Sequence, residues 1–366
     1  IGGMGVLVLT LALLPQMTGR SSHLVRAESP GPSLSKIVPK MGDTAKILYL
    51  IYGALTVIEL AALIIAGMSP YDAAIHAMGT AGTGGFSNYG SSVGAFDSAV
   101  IDAIITFFMV LFGINFALFY RVLVGGWRDA LRSEELHWYL ALFAGSTLFV
   151  SLMILPQYGT FLNALRYGSF QVATIMSTTG YATADFNLWP QAVKALIVVL
   201  MFIGAAPGST GGGIKVSRIV IAVKTILKEL NGYIHPKSVK KLTFEHKPVD
   251  HDVIRSINVY FMTYAVIFVV SMLLVSVENY DFTTNFTAVA ATFNNIGPGL
   301  SLVGPTCNFG FFNNFSKYIL MFDMLAGRLE LFPLLILFHP SIWKELFIQA
   351  DKKVKGNRKE KQNVRM

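Results

Sequence analysis

Five stretches of the chain, Ile47 to Met68, Ile104 to Leu123, Trp138 to Leu155, Ile257 to Val277 and Tyr318 to Phe338, are apolar over almost their whole length. A helix that crosses a bilayer needs about 20 such residues, so these stretches leave little room for a soluble globular fold. Composition agrees: of 366 residues, 53% are hydrophobic and only 14% charged, where an ordinary soluble domain carries about 25% charged residues. Disordered and collagen-like classes are excluded on the same ground. The predicted class is an all-α integral membrane protein. One cysteine, Cys307, cannot build a disulfide framework or a multi-cysteine metal site, and the seven histidines contain no H-E-x-x-H pairing.

Shorter apolar runs carry more information. Ile1 to Leu14 reads as the tail of a further span, which leads us to expect a chain lacking its natural N-terminus. Ala192 to Gly204 and Ile214 to Leu227 are half-length runs on either side of a glycine-rich break. Tyr71 to Thr80, Gly168 to Met176 and Asn285 to Phe293 each end in a glycine motif, and their lengths suit re-entrant helices, not crossings. Ser69-Pro70 and Thr283-Thr284 are suitable helix starts, because their side-chain oxygens accept unpaired N–H groups and proline fits a first turn.

Charge placement orients these elements. Of the 29 Lys and Arg residues, 25 fall in residues 18–46, 121–137, 215–255 and 344–366, which the positive-inside bias assigns to the cytoplasm. Residues 69–103, 156–191 and 278–316 hold only Arg166, so every short helix enters from the outer face. The result is a unit of outer helix, re-entrant helix, glycine motif and inner helix. It is expected at residues 42–132, at 133–250 with an intramembrane loop, and at 251–366 with a basic tail, while residues 1–41 supply the remainder of a first, incomplete unit. Gly85, Gly180 and Gly297 lie 95 and 117 residues apart, a long internal period, and the same spacing places a fourth glycine upstream of Ile1. The expected fold is a pseudo-fourfold arrangement of such units, as in potassium channels.

A filter for a dehydrated alkali cation needs backbone carbonyls aimed at one axis, which favours residues tolerant of unusual φ and ψ. The candidates are Thr83, Gly84 and Gly85; Thr178, Thr179 and Gly180; and Asn295, Ile296 and Gly297. Thr178-Thr179-Gly180-Tyr181 resembles the T-V-G-Y of potassium channels. Helix packing or surface turns are the plainer explanation for these glycines. The Gly204 to Gly213 segment cannot stay helical, and irregular backbone at membrane depth belongs where protein buries it or water fills a cavity. Gly208, Ser209, Thr210, Gly211, Gly212 and Gly213 are therefore candidate gate residues, with a cytoplasmic turn as the alternative. A phosphate loop fails on spacing, since Ile214 precedes Lys215 and Val216 follows it. Arg328 sits within an apolar run, where charge is expensive and functional by default. It either faces a pore or pairs with Asp323 or Glu330. Glu59 is equally open to a functional or a buried hydrogen-bonding role. The basic tail from Lys352 to Lys361 suits anionic headgroups or an acidic partner better than nucleic acid.

These motifs, with Gly2-Gly3-Met4-Gly5, Arg26-Ala27-Glu28-Ser29-Pro30-Gly31-Pro32 and Gly327-Arg328-Leu329-Glu330, resemble the TrkH/KtrB family of potassium uptake proteins, and its TrkH branch more closely, over essentially the whole chain. The resemblance implies four pore units in one polypeptide, K+ as the transported ion at the filter residues above, a gate loop at Gly208 to Gly213 and a pore-facing Arg328. It further implies a multi-pass protein of a bacterial inner membrane, surrounded by membrane lipid, a homodimer, and control by a cytosolic TrkA-like nucleotide-binding subunit. No organic cofactor and no nucleic acid partner is expected. With the first filter strand and its outer helix not represented, conduction by this stretch alone is not expected. The competing class is an ion-coupled secondary transporter that binds proton or sodium at broken helices. The units here share one orientation, whereas such transporters commonly carry inverted repeats. An enzyme is disfavoured, because no paired carboxylates, activated nucleophile or metal cluster can be read from the residues.

Overall fold

The structure, a computed structural model, describes residues 41–235, 241–328 and 331–337. The Gly2 to Gly5 and Arg26 to Pro32 motifs, the rest of the first unit, Glu330 and the basic tail lie outside the described residues.

Helix α1, Met41–Ile65, is followed by the short α2, Pro70–Ala81. The start of α2 is the expected one: the Ser69 hydroxyl oxygen accepts the Asp72 N–H at 3.1 Å and Pro70 occupies the first turn. Next come α3, Ala99–Phe112, and α4, Phe116–Leu123. The sequence predicts one crossing over Ile104 to Leu123, but these two helices meet at 91°. Asn115 makes the corner, its Oδ1 accepting the Ala117 N–H at 3.0 Å as the cap of α4. The carbonyls left open at the end of α3 are taken by a distant segment: Gly113 accepts from Ala206 N–H at 3.0 Å and Phe112 from Thr210 N–H at 3.2 Å. A corner so satisfied does not need to straighten.

After the short α5, Trp127–Leu131, α6 runs from Glu134 to Tyr158 and turns at Gly159 into α7, Phe161–Met176. Helix α7 begins seven residues ahead of the expected Gly168, because Thr160 caps it and Asn163 and Arg166 interrupt the apolar run of its first turns. The two helices pack closely; a Cβ on Gly168 would come within 2.8 Å of the Ser151 hydroxyl. Helices α8, Gln191–Phe202, and α9, Val216–Ile234, flank the glycine-rich break. A two-stranded antiparallel hairpin follows, β1 (Thr243–Phe244) with β2 (Lys247–Pro248). Helix α10, His251–Val275, leads to α11, Phe282–Phe293. Here the cap is Asp281, not Thr283 or Thr284: its carboxylate accepts both the N–H and the hydroxyl of Thr284, at 3.0 and 2.5 Å. The last predicted run is described as α12, Asn314–Arg328, and α13, Leu331–Leu337.

Among the described residues three helices, Lys46–Ile65, Glu134–Tyr158 and His251–Glu278, are long and apolar enough to cross a membrane, or four if the bent α3 and α4 make one span. Their outer faces carry Ile58, Ile65, Leu148, Leu152, Val266 and Leu273, all exposed. Helices in lipid gain nothing from hiding such residues from one another, so close packing and interhelical hydrogen bonds hold the bundle. Ser271 of α10, for instance, donates to Asp323 of α12 at 2.7 Å, an interaction worth roughly 0.6 kcal/mol in a bilayer protein. The largest packed core gathers Val172, Ile175, Met176, Ile197, Met201 and Phe293, from α7, α8 and α11. Leu63, Ala77, Ile105 and Phe170 pack a second around α2.

Candidate functional site

Helices α2, α7 and α11 end alike. In each, the N–H five residues beyond a helical residue turns back to that residue's carbonyl: Gly84 to Gly79 at 2.8 Å, Thr179 to Thr174 at 2.9 Å and Ile296 to Ala291 at 2.8 Å. The residues on either side of that N–H both take left-handed φ, Thr83 (49°) with Gly85 (63°), Thr178 (57°) with Gly180 (88°), and Asn295 (56°) with Gly297 (108°). Glycine bears this conformation without strain, whereas threonine does so at a cost. The expected candidate triplets are thus brought into one repeated backbone shape. The glycines are marked in the sequence; the left-handed threonines are not.

The loops also stand side by side. A Cβ on Gly85 would collide with the Thr179 carbonyl of the next loop, and one on Gly180 with the Ile296 carbonyl of the third. The three are therefore in direct contact through glycine backbone, in chain order.

Against them lies the segment between α8 and α9. A parallel bridge of Ile203 with Ile214 closes its base, and Ala205, Ala206, Pro207, Thr210, Gly211 and Gly212 are buried. Gly208 itself is exposed, and Ser209 and Gly213 are half-buried. The segment reaches all three loops. Thr83 Oγ1 donates to the Thr210 carbonyl at 2.9 Å, Gly212 N–H donates to Thr178 Oγ1 at 2.6 Å, and a Cβ on Gly212 would come within 2.8 Å of the Asn294 carbonyl. Behind it, Lys215 Nζ donates to the Gly211 carbonyl. Phe116 N–H donates to the Gly208 carbonyl at 3.1 Å, so the α3–α4 corner holds Gly208 as well.

Arg328, at the end of α12, joins the same place. Its NH1 donates to Thr83 Oγ1 at 3.3 Å and its NH2 to the Gly82 carbonyl at 3.2 Å. No ion pair links it to Asp323, which is fully buried and takes the Ser271 hydroxyl instead; the alternative partner Glu330 lies outside the described residues. Close approach of α12 is permitted by Gly327, where a Cβ would strike the Phe293 carbonyl. Glu59 is also fully buried on α1. At the start of α11, burial alone would raise the Asp281 carboxyl, but the Thr284 and Ser301 hydrogen bonds hold it below the usual carboxylate range. Among the described residues no three His, Cys, Asp or Glu side chains gather as a metal site.

The arrangement is three glycine loops in backbone contact, with a largely buried irregular segment and a guanidinium hydrogen-bonded against them. Residues 1–144 and 161–345 match the TrkH family, described as a cation transport protein. The chain is 38% identical over 352 residues to the Trk system potassium uptake protein TrkH of Salmonella typhimurium, covering 94% of this chain and 72% of the relative. It is 31% identical over 351 residues to TrkG of the Trk system in Escherichia coli K12, covering 94% and 71%. The crystal structure of the potassium transporter TrkH from Vibrio parahaemolyticus superposes with a TM-score of 0.80 at 33% identity, over 93% of this chain and 70% of that one. The chain belongs to the TrkH family of cation transport proteins.

Proposed function

We propose that the chain is the channel-like, ion-translocating subunit of a Trk-type potassium uptake system, multi-pass in a bacterial inner membrane. The observation that carries this reading is the shared shape and mutual contact of the three glycine loops, which lets carbonyls of Thr83 to Gly85, Thr178 to Gly180 and Asn295 to Gly297 face one axis and replace the hydration shell of K+. The pore units at 42–132, 133–250 and 251–366, with residues 1–41 as part of a further one, then form a pseudo-fourfold ring. Residues Gly208 to Gly213 act as the gate, because they are irregular, buried at Thr210, Gly211 and Gly212, and hydrogen-bonded to the loops. Arg328 adds a positive charge beside the same loops and raises the barrier to a cation that passes them. As in the relatives that carry the Trk system name, the subunit works with partners, which we assign as a second copy of the chain and a cytosolic TrkA-like nucleotide-binding protein.

Tracer uptake tests the proposal. Cells without other potassium importers, expressing the protein from its native reading frame, should take up rubidium saturably and in preference to sodium, and Gly180→Ser should abolish the preference. A well-inserted protein that carries no alkali cation would overturn it.

A further inference from the structure

Tyr181 follows Gly180 in the second loop and is fully buried. Its hydroxyl donates to the carbonyl of His76 at 3.0 Å, and its ring stacks on the His76 imidazole with centroids 5.5 Å apart. His76 belongs to α2, the helix that leads into the first loop, and is itself fully buried. Its Nδ1 lies 2.8 Å from the Asp72 carbonyl. A carbonyl only accepts, so Nδ1 carries the hydrogen and Nε2 of the neutral ring is an acceptor. Nε2 lies 3.0 Å from the Ser87 hydroxyl, which donates to it and accepts the Tyr89 N–H at 3.1 Å. The edge of Phe96 closes the other side, at 5.3 Å between centroids. The His76 ring thus meets the first loop at Ser87 by a hydrogen bond and Tyr181, the residue after the second glycine, by stacking, while the His76 backbone carbonyl holds the Tyr181 hydroxyl.

We propose that His76 is a positioning residue that sets the spacing of the first and second filter loops, and that it does so only as a neutral imidazole, making cation selectivity sensitive to acid on the outer side. This rests on the reading of the loops as a filter. A second proton would turn Nε2 into a donor. Ser87 would then face two donors, and its own hydrogen would lose the imidazole as its acceptor. The groups around the ring do not offset this. Asp72, on the same helix, is already engaged by Ser69 at 2.8 Å, Asn88 at 2.6 Å and Tyr89 at 3.1 Å. Tyr89 and Tyr181 approach from the two loops, and Glu59 of α1 lies toward Thr80 and Tyr181. Burial, opposed by the Asp72 carbonyl and carboxylate, holds the imidazole below the usual histidine range. The ring is therefore uncharged at neutral pH, and the grip fails only when acid on the outer side protonates it.

The test is the ratio of rubidium to sodium uptake by the full protein at outer pH 7.5 to 5.0. The wild type should lose about tenfold in this ratio across the range. His76→Gln, which offers Ser87 an acceptor near the Nε2 position and does not titrate, should keep the neutral-pH ratio and show no pH dependence. His76→Phe, which keeps the ring and loses the acceptor, should have a low ratio throughout. Ser87→Ala removes the same bond from the loop side and should behave as His76→Phe does. A wild-type ratio that is flat with pH, or a wild-type acid profile in His76→Gln or Ser87→Ala, overturns the proposal. Gly180→Ser keeps the two readings apart: if the wild type shows no rubidium preference for that variant to abolish, the filter assignment itself has failed, whereas a preference insensitive to pH refutes only the role of His76.

Discussion

The guanidinium of Arg328 meets the hydroxyl of Thr83 at 3.3 Å, although 245 positions separate them in the chain. The same hydroxyl donates to the Thr210 carbonyl. A residue of the first described loop is therefore the joint between α12 and the irregular segment that separates α8 from α9. Movement of that segment must break a bond to Thr83, and the charge beside it is held by the same atom.

Arg328→Gln removes the charge and keeps a hydrogen-bonding head. A unit charge a few ångströms from a cation opposes it by about 4 kcal/mol near a protein surface, and roughly 1.4 kcal/mol is a factor of ten in rate. If only about a third of that energy is felt by the passing ion, uptake at fixed membrane potential should rise about tenfold. In a double-mutant cycle with Thr83→Val the effects should be non-additive, as they are for groups in contact. Additive effects, or poor insertion with unchanged flux per molecule, would mark Arg328 as a purely structural residue.

Gly180→Ser strains the backbone, since φ is 88° there, a cost of about 1–2 kcal/mol for an L residue. The added Cβ also meets the Ile296 carbonyl of the neighbouring loop. The displaced carbonyls should no longer fit a potassium-sized ion, and the rubidium-to-sodium uptake ratio should fall by about tenfold. An unchanged ratio would remove Gly180 from the set of filter residues.

Glu59 and Asp323 address coupling. Both are fully buried, and neither Glu59 oxygen has a hydrogen-bond partner among the described residues. Intramembrane acids are where proton coupling would reside. A channel-like pathway needs no such acid, so Glu59→Gln and Asp323→Asn should each leave voltage-driven rubidium uptake within about twofold of the wild type, a change of under half a kcal/mol. Loss of uptake in either variant, at normal expression and with the proton gradient as driving force, would favour an ion-coupled transporter.

Much of this architecture is legible in local composition. The start of α2 at Ser69-Pro70, the three glycine motifs and the break after Phe202 follow from capping chemistry and from the inability of Gly204 to Gly213 to stay helical. The α3–α4 corner is masked by the long apolar run on either side of Gly113 and Asn115, and the bend depends on bonds with Ala206, Gly208 and Thr210 about 90 residues away. The early start of α7 is hidden for the opposite reason: Asn163 and Arg166 interrupt the apolar pattern inside a regular helix. At the site, glycine announces itself, but nothing in Thr83 or Thr178 signals a left-handed backbone, and no local pattern shows that Arg328 lies against Thr83 and not Asp323.

Thr210→Val tests the gate segment with the least disturbance. The Thr210 hydroxyl donates to the Phe112 carbonyl at 3.1 Å, and its own N–H reaches the same oxygen at 3.2 Å. Valine is close in shape, and the Phe112 carbonyl keeps the backbone bond, so no buried acceptor is orphaned. The loss is that of one ordinary hydrogen bond, about 1 kcal/mol. If the observed arrangement is the closed one, the change favours opening, and 1 kcal/mol corresponds to about fivefold. Partner-free rubidium flux should rise by that factor with selectivity unchanged, because the carbonyls of the three glycine loops are untouched. Thr225→Val provides the control: its hydroxyl makes a 2.8 Å bond to the Ile221 carbonyl within α9, away from the loops, and its flux should match the wild type. Equal flux in Thr210→Val and Thr225→Val would separate residues 208–213 from gating and leave them as a buried structural plug.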